Sequence, residues 1–160
     1  MDYACISWYY GLTASSKKKL QVLQNKIARY ILCLGPRKHI GQTELQQIDY
    51  LNVNDRVTQL SLNMVHGIYN GISPPYLNIH FKKVSTVHSY NTRSRTHNFV
   101  VPKVNNISAN SFNFNTIKLW NSSPDDIKGI ENKDNFKRAI KTHLGHNAIA
   151  RENSDSIYLV

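Results

Sequence analysis

Apolar residues recur at three- and four-residue steps in the segment "SSKKKLQVLQNKIARYILCLGP", which spans residues 15–36. This spacing predicts an amphipathic helix that Ser15 or Ser16 caps and Gly35-Pro36 ends. The repeating apolar positions are Leu20, Leu23, Ile27, Ile31 and Leu34. The opposite face is polar and contains no carboxylate, and Val22 is its one apolar interruption. Its polar residues are Lys18, Gln21, Asn25 and Arg29, with Lys19 and Lys26 along one edge.

Two more helices are predicted before residue 72. The segment "TELQQIDYLNVNDRV" begins with Thr43-x-x-Gln46, a capping-box pattern that opens a short helix. In "DRVTQLSLNMVHGIYNG", Asn54 is placed to cap a longer helix and Gly71 to end it. The apolar stripe of this longer helix is wide, which indicates burial on more than one side. Its members are Val57, Leu60, Leu62, Met64, Val65, Ile68 and Tyr69.

The chain loses apolar periodicity between residues 82 and 103, a stretch that includes "VHSYNTRSRTHNFVVPK". Helical spacing returns in "SANSFNFNTIKLWNSSPDDI" and "DNFKRAIKTHL". We therefore predict a mainly α fold, a small helical domain over residues 1–146 with one long irregular loop at about 82–103. Residues 147–160 are predicted to form a disordered tail. The predicted buried set includes Leu20, Leu23, Ile27, Val57, Leu60, Met64, Ile68 and Trp120.

The chain is strongly basic. Its 160 residues, the size of one domain, contain 20 Lys and Arg against 10 Asp and Glu, a formal charge of +10. No acidic residue occurs between Asp2 and Glu44, or between Asp55 and Asp125. Lysines and arginines often only solubilise helix faces, but solubilising faces usually mix both signs. Cationic sections of this length also fit a surface that tracks phosphates.

Targeting and covalent features are few. No apolar run approaches the roughly 20 residues of a membrane span, and the N-terminus lacks the order of a signal peptide. Cys5 and Cys33 form neither a disulfide framework nor a C-x2-C metal pair. We therefore predict an intracellular protein, nuclear or cytoplasmic, without a membrane partner and without a metal or other cofactor.

Catalytic patterns are also sparse. Asp125 and Asp126 follow "SSP", an arrangement typical of the first turn of a helix, where carboxylates offset the helix dipole. A metal-dependent nuclease that uses this pair is a less favoured alternative. His143-x2-His146 has close spacing but no cysteine or carboxylate to complete a ligand set. We find no nucleophile elbow and no glycine-rich phosphate loop, so no catalytic residue is assigned.

Five segments in order resemble one family. They are "YACISWYYGLTASSKKKLQVLQNKIARYIL", "ELQQIDYLNVNDRVTQLSLNMVHGIYNGISPPYL", "VHSYNTRSR", "LWNSSPDDIK" and "NFKRAIKTHL". Together they resemble the region C-terminal to the polymerase core in non-LTR retrotransposon proteins, especially jockey-type endonuclease-reverse transcriptases. The similarity covers residues 3–144. The F/Y-A-D-D motif that binds the catalytic metal ions in that family is missing, and Asp125-Asp126 does not match it.

The resemblance implies a thumb-like, post-polymerase segment that holds RNA, DNA or an RNA-DNA hybrid and has no polymerase activity by itself. The phosphate contacts that we predict are Lys19, Lys26 and Arg29 on the first helix and Arg93 and Arg95 in the loop. Arg93 and Arg95 alternate on an extended chain, so both can point toward neighbouring phosphates. The same loop is equally able to dock onto the protein's own helices. A structural remnant, whose apolar faces pack on an absent polymerase core, is the alternative function, and the rest of that polymerase is then a partner.

Overall fold

The computed structural model describes residues 2–87, 97–103, 105 and 108–157. Over these ranges the chain is mainly helical, which confirms the predicted fold class. The helices are α1 (Cys5–Trp8), α2 (Ala14–Ile31), α3 (Gln42–Gln47), α4 (Val53–Tyr69), α5 (Val84–Val87), α6 (Phe112–Ser122), α7 (Asp125–Lys128) and α8 (Lys133–Ile157). Short 3-10 turns occupy Tyr9–Gly11, Pro75–His80 and Ser108–Asn110. Extended pairing in the described ranges is limited to one antiparallel bridge, between Lys83 and Phe99.

Helix α4 is the centre of the fold, because α1, α2, α6 and α8 all pack against it. Its buried residues include polar as well as apolar side chains, as expected for a helix that is covered on several sides. They are Val53, Asp55, Val57, Gln59, Ser61, Leu62, Val65, His66, Gly67 and Ile68. The cap is Asn52, not the predicted Asn54, since the Asn52 side chain accepts from the Asp55 N–H at 2.9 Å. Gly71 ends the helix with a φ of 70°, as predicted.

An aromatic core lies between α4, α6 and α8. Trp120 is fully buried, and its ring packs beside Phe99 and Phe136 with centroids 6.0 Å away in both cases. The imidazole of His66 stacks on Phe136 at 4.1 Å, and its Nε2 lies 2.7 Å from the Ile130 carbonyl oxygen. A hydrogen-bonded histidine thus fills a core position here. Of the predicted buried set, Val57, Ile68 and Trp120 are buried, while Leu20, Leu60 and Met64 are half-buried.

The rotation of α2 differs from the prediction. Leu23 and Ile27 were expected in the core, yet they are 51% and 44% exposed. The side of α2 that faces α4 instead carries Gln21 and Gln24. The Gln21 Oε1 accepts from the Val53 N–H at 2.9 Å, and the Gln24 Nε2 donates to the Leu51 carbonyl at 2.8 Å. These bonds turn the leucine and isoleucine toward the surface, so only Ala28 of α2 is fully buried.

Helix α8 continues to Ile157, well past residue 146, where the predicted domain ends and the predicted disordered tail begins. Two charged side chains in this extension contact the rest of the fold. Arg151 Nη2 donates to both carboxylate oxygens of Asp55, at 3.0 and 2.8 Å. Glu152 Oε1 accepts from the Gln42 N–H at the start of α3, at 2.8 Å. Polar contacts of this kind leave no mark in the pattern of apolar residues, so that pattern did not indicate the extension.

None of the helices in the described ranges has both the length and the apolar character that crossing a membrane requires.

Replacement of Arg151 with alanine tests whether the end of α8 belongs to the folded domain. The Asp55 carboxylate is only 3% exposed, so loss of its charged donor leaves a buried carboxylate short of a partner. We expect the free energy of unfolding to fall by about 2 kcal/mol, measured by urea denaturation. Arg138→Ala, an exposed arginine of the same helix, is the matched control and should change stability by less than about 0.5 kcal/mol. Equal effects of the two substitutions would contradict the contact.

Candidate nucleic-acid interface

The outer face of α2, which we call the lysine face, combines lysines with exposed apolar side chains. One shallow depression on it is lined by Ser15, Lys18, Lys19, Val22, Leu23 and Lys26. The three lysines are exposed. Lys19 and Lys26 are seven residues apart, two helical turns, which separates them by about 10 Å along the axis. The structure therefore brings two of the predicted phosphate contacts onto one side of one helix.

The lysine face has no carboxylate to neutralise it. Ion pairs in the described ranges join Arg56 to Asp2, Lys128 to Asp125, Lys141 to Asp49 and Arg151 to Asp55, and none of them involves a lysine of α2. Because each pair removes one charge of either sign, the excess of +10 remains on the other side chains. The absence of acid from residues 3–43 concentrates part of that excess on α2.

Arg29, the third predicted contact on α2, has a structural bond as well. Its Nε donates to the Lys38 carbonyl oxygen at 2.7 Å and ties the segment after the helix back to the helix. The side chain is half-buried. It therefore differs from Lys19 and Lys26, whose side chains extend into solvent. A phosphate contact by Arg29 would have to come from its terminal guanidinium nitrogens.

Beside the lysine face, α2 forms one wall of an open groove of about 550 Å³. The rest of the lining comes from the N-terminal segment with α1, from the segment before α4, from α4 itself and from Lys141 of α8. The lining is mostly apolar and aromatic, and we call it the aromatic groove. Its non-polar lining residues are Cys5, Trp8, Tyr9, Leu20, Ile27, Tyr50, Leu51, Val53 and Val57; its polar ones are Asp2, Gln24, Asp49, Arg56 and Lys141.

The polar groups at the groove are already paired. Arg56 donates to both carboxylate oxygens of Asp2, at 3.3 and 2.7 Å, and this hydrogen bonding lowers the pKa of Asp2 while it raises that of Arg56. Lys141 forms an ion pair with Asp49. Burial raises the pKa of the Cys5 thiol, so this sulfur is protonated at neutral pH and is a poor nucleophile.

Arg93 and Arg95 lie outside the described residues, and the prediction that they contact phosphates stays a prediction. The segments on either side of them are described and are held together. The Val84 N–H donates to the Asn98 carbonyl at 2.9 Å, and the Val100 N–H donates to the Lys82 carbonyl at 2.8 Å. The two described ends of the predicted loop therefore adjoin each other at the bridge between Lys83 and Phe99.

The side chain of Asn121, on α6, holds one end of that loop in place. Its Oδ1 accepts from the Phe99 N–H at 3.0 Å, and its Nδ2 donates to the Phe99 carbonyl at 2.8 Å. Trp120 adds a bond from its indole Nε1 to the His97 carbonyl at 2.6 Å. The residues "LWN" in "LWNSSPDDIK" thus have a structural role, since Trp120 and Asn121 bond to the chain just after "HSYNTRSR".

Asp125 has a partner that the sequence did not indicate. Both Asp125 and Asp126 stand in the first turn of α7, as predicted for helix-start carboxylates. The Asp125 carboxylate accepts from the ammonium of Lys128, which also donates to the Asn98 side chain and to the Asn121 carbonyl. Lys128 is 3% exposed. The hydrogen bond from Lys128 lowers the pKa of Asp125, so the stabilisation from this contact is fully present above the ordinary pKa of an aspartate and is lost as the pH falls through the lowered value.

The described residues contain no group of three or more histidine, cysteine, aspartate or glutamate side chains placed to hold a metal ion. His143 Nε2 lies 2.9 Å from the side-chain nitrogen of Asn147, one turn further along α8. This neighbour is an amide, which does not supply the missing ligand for the His143-x2-His146 spacing.

Comparison of the chain with models of protein families, with curated proteins and with solved structures finds no match.

Lys128→Met tests the support beneath the loop. The change leaves the acceptors at Asn98 and Asn121 without their buried donor, and we expect a loss of about 2 kcal/mol in unfolding free energy. Asp125→Asn should cost less than about 1 kcal/mol, because that carboxylate is 67% exposed. Lys133→Met, at an exposed position, is the control. If Lys128→Met were no more destabilising than Lys133→Met, the buried ammonium would not support the loop.

Proposed function

We propose that the chain binds nucleic acid through its phosphates, with the lysine face as the main contact surface. One observation carries the proposal: exposed lysines on one side of α2 have no acidic neighbour within the chain segment that contains them. Polyanions release condensed counterions when they meet such a surface, and this release makes binding favourable at low salt.

The chemistry of the lysine face favours phosphate contact over base reading. An ammonium group on a flexible stem acts as a point charge and does not provide the fixed fork of donors that distinguishes bases. We therefore propose binding to single-stranded or hybrid nucleic acid with little preference for sequence. RNA, DNA and RNA-DNA hybrids all present the required phosphates, and the resemblance to a reverse-transcriptase C-terminal region supports this class of partner.

In this proposal the chain is a retroelement-derived segment of an RNA-directed DNA polymerase that lacks the catalytic core. It binds but does not catalyse. Arg29, Arg93 and Arg95 are proposed to extend the contact beyond Lys19 and Lys26. Of these, Lys19 and Lys26 are the positions to test first, because their exposure makes structural side effects small.

The double variant Lys19→Ala/Lys26→Ala tests the proposal. Binding to a labelled 20-nucleotide oligothymidylate is measured by fluorescence anisotropy at several salt concentrations. If both lysines neutralise phosphates, the slope of log affinity against log salt should fall in magnitude by about 1.4, or 0.7 for each contact.

The control for that experiment is Lys133→Ala/Lys137→Ala, which removes the same charge from exposed positions on α8. Its slope should match that of the unchanged protein. Equal slopes for all three proteins would show that the lysine face makes no phosphate contact. An equal decrease of the slope in both variants would mean that only the total charge matters.

A second candidate function has an observation of its own. The surface of α2 includes large apolar side chains that are nearly half exposed or more, namely Val22, Leu23, Ile27, Tyr30 and Ile31. A patch of this kind fits the alternative in which the chain packs on a polymerase core. On that proposal the chain is a structural part of a larger protein, and its lysines surround a protein contact.

Thermal unfolding of the isolated chain distinguishes a self-sufficient domain from such a part. Three clusters of buried residues adjoin α4 or its neighbours, so we expect one cooperative transition by circular dichroism at 222 nm. Near-ultraviolet signals from the buried Trp120 should change at the same temperature. A broad transition, or a loss of aromatic signal well before helix loss, would favour the second candidate.

A further inference from the structure

We propose that the aromatic groove receives an unpaired base of the bound strand, so that, among the partners proposed above, single strands bind more tightly than any duplex, RNA-DNA hybrids included. The inference rests on the proposed function and names the form of nucleic acid that it recognises. It concerns the groove next to the lysine face, to which no role has been given above.

The groove has the size and lining of a site for a flat, largely apolar group. Its volume of about 550 Å³ lies in the range of small-molecule sites, which are mostly apolar with a few polar groups. Two aromatic side chains in its lining are partly open to solvent, Trp8 at 41% and Tyr50 at 43%. Stacking of bases on such rings is worth about 1–3 kcal/mol per base and tolerates any sequence.

The charges at the groove favour the uncharged part of a nucleotide. Both basic side chains of the lining are paired with acidic side chains of the same lining, Arg56 with Asp2 and Lys141 with Asp49. The groove therefore carries no net charge. An anionic small molecule would have to break one of these pairs, whereas a base would not.

The groove and the lysine face meet along α2. Lys19 precedes Leu20 and Lys26 precedes Ile27, and both Leu20 and Ile27 line the groove. A strand whose phosphates contact the two lysines thus runs beside the groove, with the bases on the groove side in reach. Bases in a duplex are stacked and paired, so only an unpaired strand can place one there.

The tryptophans provide a direct readout, since Trp8 is 41% exposed and Trp120 is fully buried. Oligothymidylate of 20 nucleotides and a 20-base-pair hairpin duplex are titrated separately into the full chain. We expect the single strand to quench Trp8 emission over the same concentration range in which anisotropy reports binding. The single strand should also bind more tightly than the duplex, and the duplex should cause little quenching. In Trp8→Leu the remaining Trp120 emission should not respond.

Variants separate stacking from charge. Tyr50→Leu and Trp8→Leu should each weaken single-strand binding by roughly fivefold or more and leave the salt slope unchanged. Tyr76→Leu, an exposed tyrosine that does not line the groove, should bind normally. Helical circular dichroism verifies folding, and Tyr50→Leu keeps the test valid if Trp8→Leu does not fold.

Each contrary result has a distinct meaning. Anisotropy that reports salt-dependent binding without any Trp8 response, or equal affinity for strand and duplex, overturns the base site and leaves the proposed function standing. No binding by anisotropy overturns both. A third contrary result is that Trp8 emission changes with protein concentration in the absence of nucleic acid, while sedimentation gives the mass of a dimer. That result would show that a second copy covers the groove, and it also overturns the base site.

Discussion

The first turn of α4 has to satisfy its backbone and side-chain polar groups in a largely buried position, and three distant parts of the chain meet this need. Gln21 of α2 accepts from the Val53 N–H. Arg151 of α8 pairs with Asp55, whose neighbour Arg56 pairs with Asp2 near the N-terminus. An unsatisfied buried group costs about 1–3 kcal/mol, so the bonds from Gln21 and Arg151 help to fix α2 and α8 against α4, and the exposed Arg56–Asp2 pair links the N-terminal segment to the same turn.

The surface of α2 follows from that arrangement. Because Gln21 and Gln24 face inward, Leu23 and Ile27 turn outward. The lysines on the outer side take part in none of the ion pairs of the described residues. Leu20 and Ile27 of the apolar stripe line the aromatic groove without filling it. Each directly follows one of the two lysines, Lys19 and Lys26, so the groove lies beside the lysine face. The two features that carry the functional proposals therefore lie side by side on the same helix.

Periodicity predicted the helical class, the burial of Val57, Ile68 and Trp120 and the end of α4 at Gly71, because each depends on neighbours in sequence. It failed for Leu23 and Ile27, since the competing hydrogen bonds join residues about 30 positions apart. It missed the end of α8 for the same reason: the partners of Arg151 and Glu152 are Asp55 and Gln42. At the candidate site, the distribution of charge along the chain indicated Lys19 and Lys26. No pattern of neighbouring residues indicates the groove or the burial of Lys128.

Salt dependence separates the two kinds of partner that α2 can accept. A protein surface that covers Leu23 and Ile27 gains about 25 cal/mol for each Å² of apolar area removed from water, and added salt does not weaken that gain. Phosphate contacts at Lys19 and Lys26 lose strength with every increase in salt, by a slope that counts the contacts. Base stacking in the groove depends on salt only indirectly. The phosphate contacts bring a base close to the groove, but they do not supply the stacking energy. For a nucleic-acid partner, the lysines must therefore set the salt dependence of binding, and the aromatic groove must change the affinity without changing that dependence. Binding to a polymerase core would not separate into these two contributions.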